Sequence, residues 1–210
     1  MRIDTADRAS WTTLEPPMNP VRVPSNPPAG DAAAVTTPDG FEVLDACHRE
    51  TLLMLDKLTL LLARLESGGP DEQTRAMARD VVGFFSNTAR RHHEDEERHI
   101  FPKLLTSSDT DTVQAVLRLQ QDHHWLEEDW IEISPQVDAI ANGQSWYDID
   151  ILRESVEIFL ALSHEHVALE ESCIYPQARA QLGADERLAM AHEMDKRREA
   201  QQARREARKH

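Results

Sequence analysis

The sequence lacks the features that mark nucleic-acid-binding, membrane-spanning and secreted proteins. Its 23 Lys and Arg residues are outnumbered by 38 Asp and Glu, and the net charge of -15 argues against nucleic acid or an anionic membrane surface as the main partner. No apolar run approaches the roughly 20 residues of a membrane-spanning helix, and the N-terminus has no apolar stretch typical of a secretory signal. We therefore expect an intracellular protein that resides in the cytoplasm.

Cysteine is also scarce. The two cysteines, Cys47 and Cys173, fall in separate predicted helices, and neither belongs to a Cys-x-x-Cys pair. This pattern excludes a disulfide framework and disfavours thiolate-bound zinc or dithiol redox chemistry. The sequence also has no phosphate-cradling glycine loop, no dinucleotide fingerprint and no nucleophile with an adjacent base. Whether the protein is an enzyme is therefore left open by the sequence.

Proline content and apolar periodicity divide the chain into three parts. Residues 1–39 hold seven prolines and no periodic apolar pattern, which predicts a disordered tail. Residues 40–181 carry four amphipathic patterns joined by short loops, which predict an all-α fold, an antiparallel up-down-up-down four-helix bundle. Residues 184–210 predict a short C-terminal extra helix that frays into a basic tail. Pro135 is expected to kink or shorten the third bundle helix.

A short pattern occurs twice, on the second and fourth predicted helices. Its copies are His92-x-x-x-Glu96-Glu97-x-x-Ile100-Phe101-Pro102 and His166-x-x-x-Glu170-Glu171-x-x-Ile174-Tyr175-Pro176. A histidine and a carboxylate four residues apart lie on one helix face, where both can reach a single metal site. A further histidine precedes each copy, His48 on the first helix and His123 on the third. The pattern therefore predicts a duplicated pair of helices that carries the ligands of a two-metal centre.

The chemistry of these positions supports a metal rather than a solvated face. A core stripe normally carries aliphatic residues, and ionised carboxylates are almost never buried unless they are paired or bound to metal. Glu96 and Glu170 continue the apolar stripes of their helices, with no Lys or Arg in either stripe nearby. A multivalent cation would supply the missing positive charge. Histidine together with carboxylate suits iron, manganese or zinc.

Several neighbouring residues have weaker assignments. The choice of His123 rests on its phase with the apolar stripe, and His124 is the alternative. Four residues are expected near the metals without binding them directly: His93, His99, His124 and Cys173. The acidic residues beside the motifs are predicted to form a solvent face, although one could orient a ligand histidine: Glu94, Asp95, Glu97 and Glu171.

These residues resemble the hemerythrin-like family of HHE cation-binding domains. The resemblance covers roughly residues 40–181 and rests on the six phased His and Glu residues with both Ile-aromatic-Pro endings. It implies an antiparallel four-helix bundle around a non-haem di-iron centre with two irons per chain. Glu96 and Glu170 would bridge the metals, and His48, His92, His123 and His166 would be terminal ligands. Manganese or zinc in place of iron is the alternative.

The sequence departs from the oxygen-carrying hemerythrins at two points. Those proteins have a second histidine one turn after the first on the third helix, where this chain has Glu127. Glu127 is either an additional ligand or a residue of the site's rim. The fourth-helix spacing of His166 and Glu170 also differs. The set of four His and two Glu looks more like that of the iron-sulphur cluster repair proteins and the bacterial hemerythrin-like sensors. The cysteine-bearing N-terminal domain of the repair proteins has no counterpart here.

The leading functional hypothesis is a di-iron protein that binds or senses oxygen, nitric oxide or peroxide at an open iron position. A di-iron oxidase or reductase of the ferritin type is an alternative, but Glu96-x-x-His99 matches its Glu-x-x-His motif only once, because Cys173 replaces the second histidine. Cluster repair, iron storage or delivery, and a structural bundle with adventitious metal are further alternatives. The tails indicate no particular protein partner.

Overall fold

The computed structural model describes residues 38–207, and these are almost entirely helical, with no strand among them. The disordered tail predicted for residues 1–39 lies outside this range apart from its last two residues. The elements in chain order are α1 (Gly40–Gly68), α2 (Glu72–Gly83), a π-helical segment (Phe84–Ala89), α3 (Arg90–His99), α4 (Phe101–Leu104), α5 (Thr110–Ala141), α6 (Ile149–Leu169), a second π-helical segment (Glu170–Ile174), α7 (Tyr175–Gln181) and α8 (Ala184–Ala207).

Aspartates begin the long helices. Asp39, Asp71, Asp109 and Asp148 each accept hydrogen bonds from backbone amides of the first turn, which would otherwise lack partners. At Asp39 the arrangement is a full capping box, because Glu42 also accepts from the Asp39 amide. Each of these four helices therefore begins directly after an aspartate that caps it.

The helices pack as a bundle around a buried polar layer. α1 contacts α2 and α6, and α5 contacts the same two helices from the other side. Two apolar clusters fill the interior. One is built around Leu55, Phe85, Trp130 and Phe159, and the other around Phe41 and its neighbours on α4, α5 and α7. His48 on α1 and His123 on α5 follow residues of the second cluster and precede residues of the first, so the polar layer lies between the clusters.

The third bundle helix contains a proline. α5 continues without interruption through Pro135 to Ala141, so of the two expected effects of this proline, a kink or a shortened helix, the shortening does not occur. A proline removes one backbone hydrogen bond from a helix. Ile133 and Val137, on either side of Pro135, are fully buried, and this packing holds the helix together.

The C-terminal helix also differs from the prediction. α8 is 24 residues long rather than short. Met190 and Met194 are buried in the cluster around Phe41. The contact is close at Gly40, where an added Cβ would overlap the Met190 side chain. Met190, Ala191 and Met194 lie on the face of α8 that docks onto α1, whereas Leu188 is exposed.

In the part of the chain that the structure describes, no helix is long and apolar enough to cross a bilayer.

Candidate metal centre

The six predicted ligands meet in the polar layer of the bundle. All six side chains are buried, and Glu96 and Glu170 are fully inaccessible to solvent. Each carboxylate is surrounded by three imidazoles. Glu96 lies 3.9, 3.5 and 3.5 Å from nitrogens of His48, His92 and His123. Glu170 lies 3.1, 3.7 and 3.2 Å from nitrogens of His48, His123 and His166.

The ligand atoms form two overlapping groups, and within each group they lie within 4.8 Å of one another. The first ligand group is His48, His92, Glu96 and Glu170. The second ligand group is Glu96, His123, His166 and Glu170. Both carboxylates belong to both groups, while each group has its own pair of histidines. This arrangement suits two neighbouring cations that share two carboxylates.

The donor atoms are poorly satisfied by the protein alone. Within residues 38–207, both oxygens of Glu170, both ring nitrogens of His92 and His166, and His123 Nε2 are buried without a hydrogen-bond partner. Neither Glu96 nor Glu170 forms an ion pair with Lys or Arg in this range. Buried polar atoms without partners are costly. A bound cation would satisfy them, so the residues present fit a metal site.

The π-helical segments adjoin this layer. Glu170 is the first residue of the second segment, and the first segment ends three residues before His92. A π-helical turn holds an additional residue, which shifts the phase of the side chains that follow it, and such turns occur often at functional sites.

Electrostatics within the centre divides the histidines into two kinds. Burial lowers the pKa of His166, but the carboxylates of Glu170 and Asp122 together outweigh it and raise the pKa to about 9. The pKa of His123 is raised well above its usual value because Glu170, Glu96 and Glu97 together outweigh burial. His92 is different, since burial dominates over Glu96 and lowers its pKa to about 4. In His48 of the first ligand group, Glu170, Glu96 and Glu171 together also outweigh burial and raise the pKa, so His92 is the exception among these four histidines.

Carboxylates outside the two groups orient the ligand histidines. The His123 Nδ1–H donates to Glu97 Oε1 at 2.9 Å, and the His48 Nδ1–H donates to Glu171 Oε1 at 3.2 Å. These bonds turn Nε2 of each ring toward Glu96 and Glu170. Asp122, which is also buried, lies 3.9 Å from His166 Nδ1. Such partners fix the ring orientation and raise the basicity of a histidine ligand.

The orienting bonds connect the two repeats in a crossed manner. Glu97 follows the carboxylate of the first motif but holds the histidine of the third bundle helix. Glu171 follows the carboxylate of the second motif but holds the histidine of the first helix. From the sequence, one of the four acidic residues on the predicted solvent face was allowed to orient a ligand histidine. The helical pattern did not indicate that both Glu97 and Glu171 bond to a histidine of another helix.

Two aromatic residues close one side of the centre. Tyr175 stacks on His48 with ring centroids 5.0 Å apart, and Phe101 stacks on His123 at 5.4 Å. The Tyr175 hydroxyl donates to Glu96 Oε1 at 2.5 Å and lies 3.2 Å from His48 Nε2. Sequence reasoning treated both only as parts of the motif endings. The tyrosine is therefore a residue of the centre that this reasoning missed.

The structure does not bring every secondary candidate to the centre. His124 is exposed, and its Nε2 lies 3.3 Å from Glu128. His99 was expected to line the bundle beside the metals, but its Nε2 lies 2.7 Å from Glu193 of α8 instead. Cys173 accepts a weak hydrogen bond from Gln177. None of these three belongs to a group of converging ligand atoms within the described residues.

Glu127 also lies away from the ligand atoms. Its side chain is 43% exposed and lies 3.8 Å from Arg90 Nε. It lines the outer part of a cavity rather than joining either ligand group. Of the two interpretations given by the sequence, this position fits the rim residue.

The cavity has a volume of about 230 Å³ and reaches the histidines. At its inner end lie His48, His92, His93 and His166. Its walls are mostly apolar, formed by three aromatic rings with centroids 5.1 to 5.8 Å apart: Phe85, Trp130 and Phe159. His93 stacks on His123 with centroids 4.0 Å apart. A small molecule in this cavity would reach the candidate metal site through apolar surroundings.

The prediction of a solvent face is wrong for Asp95. This residue is only 2% exposed, and its carboxylate pairs with Arg197 and, at 3.3 Å, with Arg198. Both arginines belong to α8, a segment that was expected to fray. The long C-terminal helix brings them onto α3, where they neutralise the buried charge.

The fold and this centre define a helical-bundle protein with a candidate metal site built from histidine and glutamate. Comparison with known protein families agrees, because the family model of the hemerythrin HHE cation binding domain matches residues 39–178. The chain belongs to this hemerythrin HHE family. It is also 29% identical over 162 residues to an uncharacterized protein of Haemophilus influenzae, an alignment that covers 77% of this chain and 91% of the relative.

Proposed function

We propose that the protein binds two iron ions per chain, one in each ligand group, with Glu96 and Glu170 shared between them. The observation that carries the proposal is the pair of overlapping groups of buried donor atoms around two carboxylates that lack a Lys or Arg partner among the described residues. Mixed histidine and carboxylate donors favour iron over magnesium or calcium, which prefer oxygen alone. Manganese and zinc are the competing ions.

The proposed activity is the binding or sensing of a small ligand at the metal centre, with oxygen, nitric oxide or peroxide as the ligand class. Six protein residues shared by two ions leave coordination positions open. The apolar cavity that ends at His48 and His92 supports this proposal, because it offers a small uncharged molecule a path to those positions. When bound, the iron would supply the site for ligand binding, while the aromatic walls would limit access of water.

A ferritin-type oxidase is less well supported. Its Glu-x-x-His motif requires the histidine to join the glutamate at the metal, and here His99 is held by Glu193 instead. We further propose the antiparallel up-down-up-down order of the four bundle helices and a cytoplasmic location for the protein.

Metal content and optical spectra of anaerobically purified protein test the proposal. We expect about two irons per chain and a spectrum that changes on exposure to air or nitric oxide. A His92→Ala, His166→Ala double variant should lose both the iron and the response, because it removes one histidine from each ligand group. His124→Ala is the matched control, since His124 is exposed and outside both groups. Protein without stoichiometric metal, or with zinc and no spectral response, would contradict the proposal.

A further inference from the structure

A second pocket lies between the first π-helical segment, the start of α3 and the end of α8. Its volume is about 270 Å³. Three arginines and a single glutamate line it, in a chain whose net charge is -15. The main lining residues of this arginine pocket are Ser86, Arg90, Arg91, Glu94, Gln201 and Arg204. A positively charged pocket on an acidic protein points to an anionic ligand.

The packing of α8 on α3 brings the three arginines together. The two helices lie side by side in opposite directions, and Arg197 of α8 pairs with Asp95 of α3. Arg91 precedes Asp95 by one helical turn, and Arg204 follows Arg197 by two turns. Arg204 is therefore level with the start of α3, where Arg90 and Arg91 lie. The pocket exists because α8 is long and docked, which the sequence did not predict.

The protein balances the positive charge of this pocket only in part. Glu94 is the one carboxylate among the described lining residues, and its Oε1 lies 3.9 Å from Arg90 Nε. Arg90 Nε also lies 3.8 Å from Glu127, and both distances are too long for a hydrogen bond. Arg204 forms no hydrogen bond or ion pair with any residue in the described part of the chain. Because guanidinium groups gathered in one pocket repel one another, an anion between them would be bound favourably.

The donors of the pocket suit a phosphate group. Arginine offers a planar fork of N–H groups that binds phosphate or carboxylate through two hydrogen bonds. Ser86 adds a hydroxyl whose oxygen accepts from Trp130 Nε1 at 2.9 Å, which leaves its hydrogen for another acceptor. A phosphomonoester carries three acceptor oxygens and nearly two negative charges at neutral pH, more than a carboxylate group offers. The pocket therefore matches phosphate in both donors and charge.

We infer that the arginine pocket binds a small phosphate-bearing anion through Arg90, Arg91 and Arg204. The inference does not depend on the metals, since no residue of either ligand group is among the described residues that line the pocket. A small ligand is favoured over nucleic acid because the chain as a whole is strongly acidic. Inorganic phosphate and a phosphomonoester share this chemistry, and the test distinguishes them.

The arginine pocket adjoins the cavity that reaches the histidines. Ser86 and Arg90 line both spaces. Trp130, whose indole donates to Ser86, forms one wall of the cavity. An anion bound to Ser86 would change the surroundings of this indole, so binding should alter the tryptophan fluorescence.

Calorimetric titration of the full-length protein, as purified, with glycerol 3-phosphate tests this inference. We expect one ion bound per chain, with an affinity that falls as salt is added. Arg204→Gln and Arg91→Gln should each weaken binding about 10-fold, because each removes a charged donor. Arg204→Lys, which keeps the charge, should be intermediate. Arg49→Gln is the matched control, since Arg49 is exposed and outside the pocket. The fluorescence change should be absent in Trp130→Phe, and circular dichroism reports the folding of every variant.

The outcomes distinguish this site from the metal centre. Absence of binding, or equal weakening by Arg49→Gln, would overturn the inference. So would binding that the pocket variants leave unchanged and the His92→Ala, His166→Ala double variant abolishes, because the anion would then lie at the metals. Succinate bound as tightly as the ester would overturn the choice of phosphate. Tighter binding of the ester than of inorganic phosphate would support a phosphorylated metabolite as the ligand, and equal binding would support free phosphate. None of these results changes the expected number of metal ions.

Discussion

The two repeats of this chain place the same ligands in different surroundings. His48 and His92 of the first repeat correspond to His123 and His166 of the second, and Glu96 corresponds to Glu170. The pKa of His166 is about 9, whereas that of His92 is about 4. The difference shows that equal spacing of the residues in the two repeats does not give the corresponding histidines equal pKa values.

Neighbouring positions contribute to the difference, in addition to Glu170 beside His166 and the burial of His92. The residue before His123 is Asp122, whose carboxylate lies near His166, whereas the corresponding residue before His48 is Cys47. Burial and the nearby Glu96 raise the pKa of the Cys47 thiol to about 12, so it carries no negative charge that would stabilise a protonated His92. The motif endings differ as well, since Tyr175 bonds to Glu96 and the equivalent Phe101 has no hydroxyl.

The largest expected effect comes from removing a carboxylate that belongs to both groups. Glu170→Ala should abolish stoichiometric binding of both ions, because Glu170 contacts histidines of each group. His92→Ala should weaken mainly the first group. Metal analysis after dialysis measures both. Glu171→Gln is the control, which we expect to retain both ions with affinity lowered about 10-fold. Retention of two ions by Glu170→Ala would refute the sharing of this residue.

The next largest effect is on the pH dependence of metal uptake. A protonated histidine must lose its proton to bind metal. His166, with a pKa of about 9, is protonated at neutral pH, and the pKa of His123 in the same group is also raised, whereas in the first group only His48 has a raised pKa. The metal affinity of both ligand groups should rise with pH, more steeply for the second group. The contribution of His166 to this rise should end above about pH 9, where its ring has lost the proton.

Calorimetric titration at several pH values between 6 and 9, in buffers of different ionisation enthalpy, counts the protons released. His92, with its pKa of about 4, should contribute none in this range. Equal proton release by the two ions would show that the two groups are electrostatically alike.

A smaller effect is expected when the second repeat is made to resemble the first. Asp122→Cys copies Cys47 and removes the carboxylate near His166, so the pKa of His166 should fall. Above about pH 9, where proton competition at His166 is small, the second ion should bind about 10-fold more weakly, because the ring has lost a partner that raises its basicity. Nuclear magnetic resonance of the histidine rings and metal titration measure the two quantities. Arg118→Ala is a useful companion, because Arg118 also contacts Asp122. An unchanged His166 pKa would remove Asp122 from the explanation.

The smallest effect concerns the motif endings. Tyr175→Phe copies Phe101 and removes the hydrogen bond to Glu96, which should lower the free energy of unfolding of the metal-free protein by about 1–3 kcal/mol. Urea denaturation with and without metal measures the change. We expect Phe101→Tyr to be destabilising too, because it adds a hydroxyl to a fully buried site. If the metal-free Tyr175→Phe variant has the same free energy of unfolding as the wild type, this hydrogen bond makes no net contribution to stability.

The sequence predicted the parts of this molecule that follow from local pattern. Helix starts follow from aspartates such as Asp39, and the His and Glu positions follow from their phase with the apolar stripes. Contacts between distant segments could not be predicted in this way. Glu97 and Asp95 are adjacent to the same motif, yet one bonds to His123 and the other to arginines of α8. Their roles depend on which helix packs opposite, and periodicity does not give that information.

The most direct test of the account is the location of bound iron. Crystals of anaerobically iron-loaded protein, measured on both sides of the iron absorption edge, would show anomalous peaks at the metal positions. The account predicts two peaks per chain, one beside His48 and His92 and the other beside His123 and His166, with Glu96 and Glu170 near both. A single peak, or peaks away from these residues, would contradict it.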